Sequence, residues 1–168
     1  VAGSSLGGIA VNANDHLDTY RQWGVPVWTD VVDGHLGPLA GMLTGLRHCP
    51  TSHLLTVPCD APAFPMDLPA RLAQALGRSG ADIAVACAPD ESGSMRRHAV
   101  FALVPVALAP DLEAFLQQGG RKVGLWLQRH HTVDVAFDHL HDDPSAFENV
   151  NTLEQLRDLE SRGLTDHP

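Results

Sequence analysis

Short apolar runs alternate with helical patterns along the chain, and this alternation is the feature that most constrains its fold. The segments 54–57 and 83–87 are continuous apolar runs of strand length, as expected for strands that are covered on both faces. Between them, leucines recur every fourth residue from Leu68 to Leu76, which is helical spacing. Alternation of this kind predicts an α/β sandwich with a mostly parallel sheet, formed as a single domain over residues 1–168.

Other segments fit the same pattern. We predict further strands at 9–11, 25–28, 100–104 and 132–137, the last of them an edge strand because its polar and apolar residues alternate. Helix starts are indicated by the Gly-Pro pair at 37–38, by Asp67 as a capping residue, and by a capping box of Thr152 with Gln155. The segment 88–97 is predicted to be a loop.

The charge balance limits what the chain binds. Of its 168 residues, 20 are acidic and 11 basic, which gives a formal net charge of −9. A surface of this sign repels nucleic acid and anionic membranes, so neither is expected as a partner. An anionic ligand would have to be received by a metal cation or by backbone N–H groups.

Cysteine usage and hydropathy favour the cytoplasm. Cys49, Cys59 and Cys87 are widely spaced and odd in number, which fits neither a disulfide framework nor a zinc pair. No apolar run is long enough to span a bilayer, and no signal-peptide pattern opens the chain. The segment 1–8 resembles the end of a helix or loop, so we expect the domain to be incomplete at its N-terminus.

Three polar residues follow predicted strands, at the edge where open α/β sheets bind ligands: Asn12, Asp30 and Asp60. Asp60 is the strongest candidate, because prolines on both sides fix the backbone around a carboxylate that a buried strand holds. Such a carboxylate can bind Mg²⁺ together with phosphates and waters; alternatively, it caps the turn before the next helix. Asn12 and Asp30 are typical turn formers, but an Asp also accepts two hydrogen bonds from N1–H and N2–H₂ of guanine.

Two glycine-containing segments and a histidine-rich stretch are weaker candidates. Free N–H groups at the helix start in 37–41 can face a base or phosphate, although a tight turn explains the same residues. The Gly-Gly-Arg-Lys segment at 119–122 either receives an acceptor phosphate or stops a helix. The histidines at 130–131 and within 139–143 lack the spacing of zinc ligands, which favours a solvated loop.

With these segments placed, the chain resembles the molybdenum cofactor guanylyltransferase family. Residues 37–41 match the family's Gly-Pro-Leu-Ala-Gly, 58–62 match its Cys-Asp metal-site segment, and 147–152 match its Phe-x-Asn-Val-Asn-Thr. These segments occur in the family's order, and Gly-Arg-Lys-Val at 120–123 lies between the last two. The resemblance begins at Val11 and covers nearly the whole chain.

The resemblance implies a Rossmann-like three-layer α/β/α fold of the nucleotide-diphospho-sugar transferase kind. It also implies transfer of GMP from Mg-GTP to molybdopterin, with release of pyrophosphate and with molybdenum cofactor delivery proteins as partners. In this pattern the catalytic residue that holds Mg²⁺ is Asp60. The nucleotide contacts fall at Asn12, Asp30, Gly37, Pro38, Leu39 and Asp60. The acceptor side falls at Arg121, Lys122, Asn149 and Asn151.

The chain departs from the family pattern in two places. The family opens with Leu-Ala-Gly-Gly-x-x-x-Arg-Met-Gly-x-x-Lys, which wraps the triphosphate, and nothing in 1–15 matches it. The family often has His-Pro before its Val-Phe-Ala-Leu strand, where this chain has His98 and Ala99. Alternative functions are a related transfer that uses CTP or a sugar-phosphate acceptor, and a nucleotide-binding module without catalysis.

Overall fold

The computed structural model describes residues 7–32, 37–140 and 142–161, so residues 1–6, 33–36, 141 and 162–168 lie outside the described part. Within it, strands and helices alternate along the chain. The strands are β1 (Val11–Asn12), β2 (Val27–Trp28), β3 (His53–Thr56), β4 (Ile83–Pro89), β5 (Met95–Pro105) and β6 (Thr132–Ala136). The helices are α1 (Leu17–Arg21), α2 (Pro38–His48), α3 (Leu68–Ser79), α4 (Ala109–Gln117), α5 (Val123–Leu127) and α6 (Leu153–Ser161).

The strands form two sheets. β1 and β2 pair in parallel as a small sheet, and the other four strands are ordered β3-β5-β4-β6. β5 runs antiparallel to both β3 and β4, whereas β6 is parallel to β4. The α/β class is confirmed, but the larger sheet is mixed rather than mostly parallel. The cause is the short turn at 90–94 between β4 and β5, since a parallel neighbour needs a crossover of a dozen residues or more.

Helices cover both faces of the larger sheet, as a three-layer sandwich requires. β4 is almost fully buried, and its side chains alternate between two clusters. Ile83 and Val85 face one cluster, which α2, α4 and α5 complete with side chains such as Leu39, Leu112 and Trp126. Alanines of β4 face the other cluster, where α3 packs together with the rings of Phe101, Phe137 and Phe147. Within the described ranges, no helix combines the length and apolar character that a bilayer crossing requires.

Helix α2 packs against both sheets. It contacts β1 through Gly41, where an added Cβ would overlap Oδ1 of Asn12, and β3 through Gly45, where an added Cβ would lie 2.7 Å from Leu54. A Cβ at either position would force the facing side chain to move, so both glycines favour the close approach. The fully buried hydroxyl of Thr44 extends this contact by accepting a hydrogen bond from the N–H of Val31 at 3.0 Å.

Some of the predicted helix caps and element boundaries are confirmed by the structure, and others are wrong. The capping box is confirmed, because Gln155 N–H donates to Thr152 Oγ1 and Thr152 N–H donates to Gln155 Oε1. Asp67 occupies the N-cap position of α3, but its side chain makes no capping hydrogen bond. The loop predicted at 88–97 is wrong at both ends, since β4 continues through Pro89 and β5 begins at Met95. The strand predicted at 9–11 begins only at Val11, and Ile9 is 67% exposed.

Arg71 on α3 holds the segment that follows β6 against this helix through hydrogen bonds. Its guanidinium donates to both carboxylate oxygens of Asp142, at 2.8 and 3.0 Å, and to the carbonyl oxygen of Ala136. It also lies 3.7 Å from the ring centroid of Phe137. The Arg71 hydrogen bonds, assisted by a backbone bond from His139, hold the pKa of Asp142 below its usual range.

We expect Asp142→Asn to lower the free energy of unfolding by about 1–3 kcal/mol at pH 7, because charge-assisted hydrogen bonds in a mostly buried pair are lost. A depressed folded pKa stabilises the protein above the unfolded pKa, and this contribution is lost as pH falls through the folded pKa. Urea unfolding should therefore give a constant difference between variant and wild type down to about pH 5, which shrinks below about pH 4. A difference that disappears between pH 7 and 6 would contradict this assignment.

Gly41→Ala should destabilise the protein by about 1–2 kcal/mol, because the new methyl displaces Asn12 from its bond to the carbonyl oxygen of Trp28. The matched control is Gly77→Ala at an exposed position of α3, where an added Cβ meets nothing within 4 Å. That control should gain about 0.5–1 kcal/mol from helix propensity. Thermal unfolding that shows the same change for both variants would refute the close approach of α2.

Candidate active site

The loops that carry the candidate site converge at one edge of the larger sheet. β3, β4 and β6 share a direction, so their carboxyl ends lie at the same edge, and β5 starts there. Two backbone hydrogen bonds join the loops beyond this edge. Phe137 N–H donates to the carbonyl oxygen of Cys87 at 2.7 Å, and Val150 N–H donates to that of Asp60 at 2.6 Å. Open α/β sheets bind ligands at this edge.

Asp60 presents a half-buried carboxylate that has no hydrogen-bond or ion-pair partner among the described residues. Its neighbour Ala61 is fully buried, which anchors the turn beneath it. In the described part of the chain, no group of three or more His, Cys, Asp or Glu side chains is placed to hold a metal. A single unpaired carboxylate suits Mg²⁺, which takes one or two protein oxygens and completes its shell with phosphates and waters.

Asn149 and Asn151 flank Val150 in the chain. They therefore lie beside Asp60, because the N–H of Val150 donates to the carbonyl oxygen of Asp60. Both asparagines are exposed. Phe147, which precedes them, is buried against the rings of Phe101 and Phe137. The segment is thus anchored by a buried ring while its amide side chains remain open to a ligand.

A cleft of about 400 Å³ opens next to this segment, and its lining includes Arg96, His98 and Glu148. The His98 imidazole stacks on Phe147 with ring centroids 5.0 Å apart. Burial, with a smaller contribution from Arg96, lowers the pKa of His98, so the ring is neutral at pH 7. The cleft was not predicted from the sequence, because it lies at the β4–β5 turn, in a segment predicted to be a loop.

A bulge in β5 sets the position of His98. The pairing jumps from Val85 with Ala102 to Ala86 with His98, which leaves three residues of β5 unpaired with β4. The Thr56 hydroxyl donates to the carbonyl oxygen of Val100 within this bulge at 2.5 Å. A bulge of this kind bends its strand and redirects the side chains next to it.

Asn12 and Asp30 lie at the carboxyl ends of the paired strands β1 and β2. Asn12 Nδ2 donates to the carbonyl oxygen of Trp28 at 3.2 Å. The Asp30 carboxylate is held through one oxygen by Asn14 Nδ2 at 2.8 Å, and its other oxygen, Oδ1, is buried without a partner among the described residues. The side chain of Asn12 therefore links β1 to β2, whereas Asp30 keeps one carboxylate oxygen without a hydrogen bond.

Residues 37–39, where nucleotide contacts are predicted, form the start of α2. Gly37 adopts φ 67° and ψ −158°, a backbone conformation open only to glycine, and Pro38 follows in the first turn of the helix. The side chain of Leu39 is fully buried in the core. Only the backbone of Leu39 is available to a ligand.

Arg121 and Lys122 are not joined to the Asp60 segment by any hydrogen bond or ion pair between described residues. The Arg121 guanidinium donates to the carbonyl oxygens of Leu116 and Gly120, at 2.9 and 2.6 Å, and so closes the end of α4. Both residues line a separate cleft of about 430 Å³ together with Arg129. The helix-stop interpretation accounts for Arg121.

Two other predicted features have structural roles. His130 Nε2 lies 3.1 Å from a carboxylate oxygen of Asp111, which also accepts a hydrogen bond from Trp126 Nε1. Cys87 is buried, and its burial together with the nearby Asp134 raises the pKa of the thiol to about 11. Cys87 therefore carries almost no thiolate at neutral pH.

The chain is similar in sequence to one family of proteins. The MobA-like NTP transferase domain family matches residues 2–133. A molybdenum cofactor guanylyltransferase of Acidovorax ebreus (strain TPSY) is 51% identical over 163 residues, which are 94% of this chain and 77% of the relative. One from Ralstonia nicotianae is 50% identical over 161 residues, with the same coverage.

Two solved structures share the fold. Molybdopterin-guanine dinucleotide biosynthesis protein A from Archaeoglobus fulgidus superposes with a TM-score of 0.65 at 19% identity, covering 91% of this chain and 77% of that one. A putative protein from Aquifex aeolicus VF5 gives a TM-score of 0.66 at 16% identity, covering 85% of this chain and 70% of that one. The chain therefore belongs to the MobA-like NTP transferase family and, within these nucleotidyltransferases, to the molybdenum cofactor guanylyltransferases.

Proposed function

We propose that this chain transfers GMP from GTP to the phosphate group of molybdopterin and releases pyrophosphate. The names of its relatives support this reaction, and one contact carries the structural side of the proposal. The hydrogen bond from Val150 N–H to the carbonyl oxygen of Asp60 sets two asparagines beside an unpaired carboxylate. A carboxylate that would bind the metal and amides that would bind the acceptor thus lie together at the edge of the sheet where such folds bind ligands.

The chemistry is an in-line displacement at the α-phosphorus of GTP. An oxygen of the molybdopterin phosphate forms the new bond to this phosphorus, and the bond to the bridging oxygen of the β-phosphate breaks. Positioning and charge neutralisation make up most of the protein's contribution to phosphoryl and nucleotidyl transfer. Asn149 and Asn151 would orient the acceptor by hydrogen bonds from their amides.

Asp60 is the residue that would hold Mg²⁺. When bound, Mg²⁺ neutralises negative charge on the phosphate oxygens. The half-buried position of Asp60 and its lack of a protein partner favour this role over that of a turn cap, which would engage the carboxylate in a hydrogen bond.

The nucleotide would lie between Asp60 and the ends of β1 and β2. Asp30 would accept hydrogen bonds from the guanine base through its unpaired oxygen. The backbone of Gly37, Pro38 and Leu39 at the start of α2 would line the same site. Asn12 would support it by holding Trp28 at the end of β2.

The acceptor would extend toward the cleft lined by Arg96, His98 and Glu148. A contact of Arg121 and Lys122 with the acceptor would require the α4–α5 loop to approach the bound substrate. We further propose a cytoplasmic location, because the three cysteines are free. We also propose molybdenum cofactor delivery proteins as partners.

Pyrophosphate release by the full-length protein with molybdopterin and Mg²⁺ tests the reaction. We expect release with GTP and little with CTP or ATP, and we expect Asp60→Asn to lower kcat by about 10³-fold. The control is Asp18→Asn in α1, whose side chain is 95% exposed, and it should retain the wild-type rate.

Two results would count against parts of this proposal. Turnover of the Asp60→Asn variant near the wild-type rate would remove the metal-binding assignment. Release with CTP in place of GTP would keep the chemistry and change the nucleotide.

A further inference from the structure

Asn14 and Asp30 form a closed pair across the ends of β1 and β2. Asn14 Nδ2 donates to Asp30 Oδ2 at 2.8 Å, and the N–H of Asp30 donates to Asn14 Oδ1 at 2.9 Å. This double contact fixes the orientation of the Asn14 amide, since exchanging its nitrogen and oxygen would oppose two donors at one end and two acceptors at the other.

The pair makes the two oxygens of Asp30 unequal. Oδ2 is occupied by Asn14, whereas Oδ1 is buried and has no partner among the described residues. An unsatisfied buried acceptor destabilises the folded protein, so such an atom is normally matched by water or by a ligand. Its position at the carboxyl end of β2, where ligands bind, favours a ligand.

Neighbouring contacts hold Asp30 in this orientation from both sides. The N–H of Val31 donates to the fully buried Thr44 hydroxyl at 3.0 Å, and Ala13 N–H donates to the carbonyl oxygen of Trp28 at 2.9 Å. The backbone around Asp30 is thus tied to α2 and to β1. Asn14 is the side chain that determines which carboxylate oxygen is free.

We propose that Asn14 is a positioning residue that holds Asp30 with Oδ1 presented to an N–H group of guanine. This inference rests on the proposed function. Guanine offers N1–H and N2–H₂ donors to a carboxylate, whereas adenine presents the lone pair of its ring N1 at the corresponding position. A fixed acceptor discriminates strongly between these bases, because the wrong base leaves buried polar groups unpaired.

Competition binding tests the role of Asn14. Displacement of the fluorescent nucleotide mant-GTP from the full-length protein by GTP and by ATP gives the ratio of the two affinities. Asn14→Ala removes both contacts with Asp30. Asn14→Asp keeps an acceptor for the Asp30 N–H but places an oxygen against Oδ2. For both variants we expect the preference for GTP over ATP to fall by at least about tenfold, while the affinity for ATP changes by less than about threefold.

A reciprocal exchange provides a rescue. When Asn14→Asp is combined with Asp30→Asn, the side-chain hydrogen bond can form again with donor and acceptor exchanged, and the backbone N–H of residue 30 can still donate to the side chain at position 14. The amide oxygen at position 30 is then the free acceptor. We expect this double variant to recover part of the GTP preference that Asn14→Asp loses. The control is Arg21→Ala, which removes an exposed ion pair on α1 and should leave the preference unchanged.

The outcomes separate this inference from the proposed function. If Asp30→Asn loses the preference while both Asn14 variants keep it within about twofold, the inference is overturned and the proposed function stands. If the wild-type protein shows no preference for GTP, or Asp30→Asn keeps the preference, the assignment of Asp30 to the base fails. Loss of affinity for GTP and ATP to the same extent would mean that Asn14 is merely structural.

Discussion

The close approach of α2 to both sheets is the contact on which the candidate site depends. No backbone ladder joins the β1–β2 sheet to the larger one within the described residues. Gly41 brings the helix against Asn12, and Gly45 brings it against Leu54. The buried Thr44 hydroxyl then ties the end of β2 to the same helix. The proposed base-binding group, which follows β2, and the proposed metal-binding group, which follows β3, are thereby kept in a fixed relation, as catalysis by positioning requires.

Charge is the second constraint, because an acidic protein must bind an anionic nucleotide. The formal net charge is −9, and the cleft beside the site contains Asp90, Glu91 and Glu148 against the single guanidinium of Arg96. The unpaired carboxylate of Asp60 adds to this excess. A triphosphate would be repelled from such a surface unless a cation lay between them. The nucleotide and the cation would therefore depend on each other for binding.

The sequence predicts those parts of the fold that depend on apolar periodicity. It does not predict the features that depend on how strands pair or on which partner a side chain meets. The apolar runs at 54–57 and 83–87 correspond to β3 and β4, because burial on both faces leaves a clear pattern. The start of β5 was missed, since its polar residues have a loop-like composition although their backbones pair with β4. For Arg121 the sequence leaves a phosphate contact and a helix stop both open, because it does not specify whether a guanidinium meets a ligand or a nearby carbonyl; in the structure Arg121 bonds to carbonyl oxygens at the end of α4. The partnership of Asn14 with Asp30 depends on the register of β1 with β2, which sequence alone does not fix.

The most direct test of this account is the binding of Mn²⁺ as a paramagnetic substitute for Mg²⁺, followed by electron paramagnetic resonance with and without GTP. Since the described residues contain no group of three metal-ligating side chains, the protein alone should bind Mn²⁺ weakly. Addition of GTP should tighten binding at one site by at least about tenfold relative to GTP without protein, and Asp60→Asn should abolish this gain. Tight binding without nucleotide, or an undiminished gain in the Asp60→Asn variant, would contradict a cation shared between Asp60 and the phosphates.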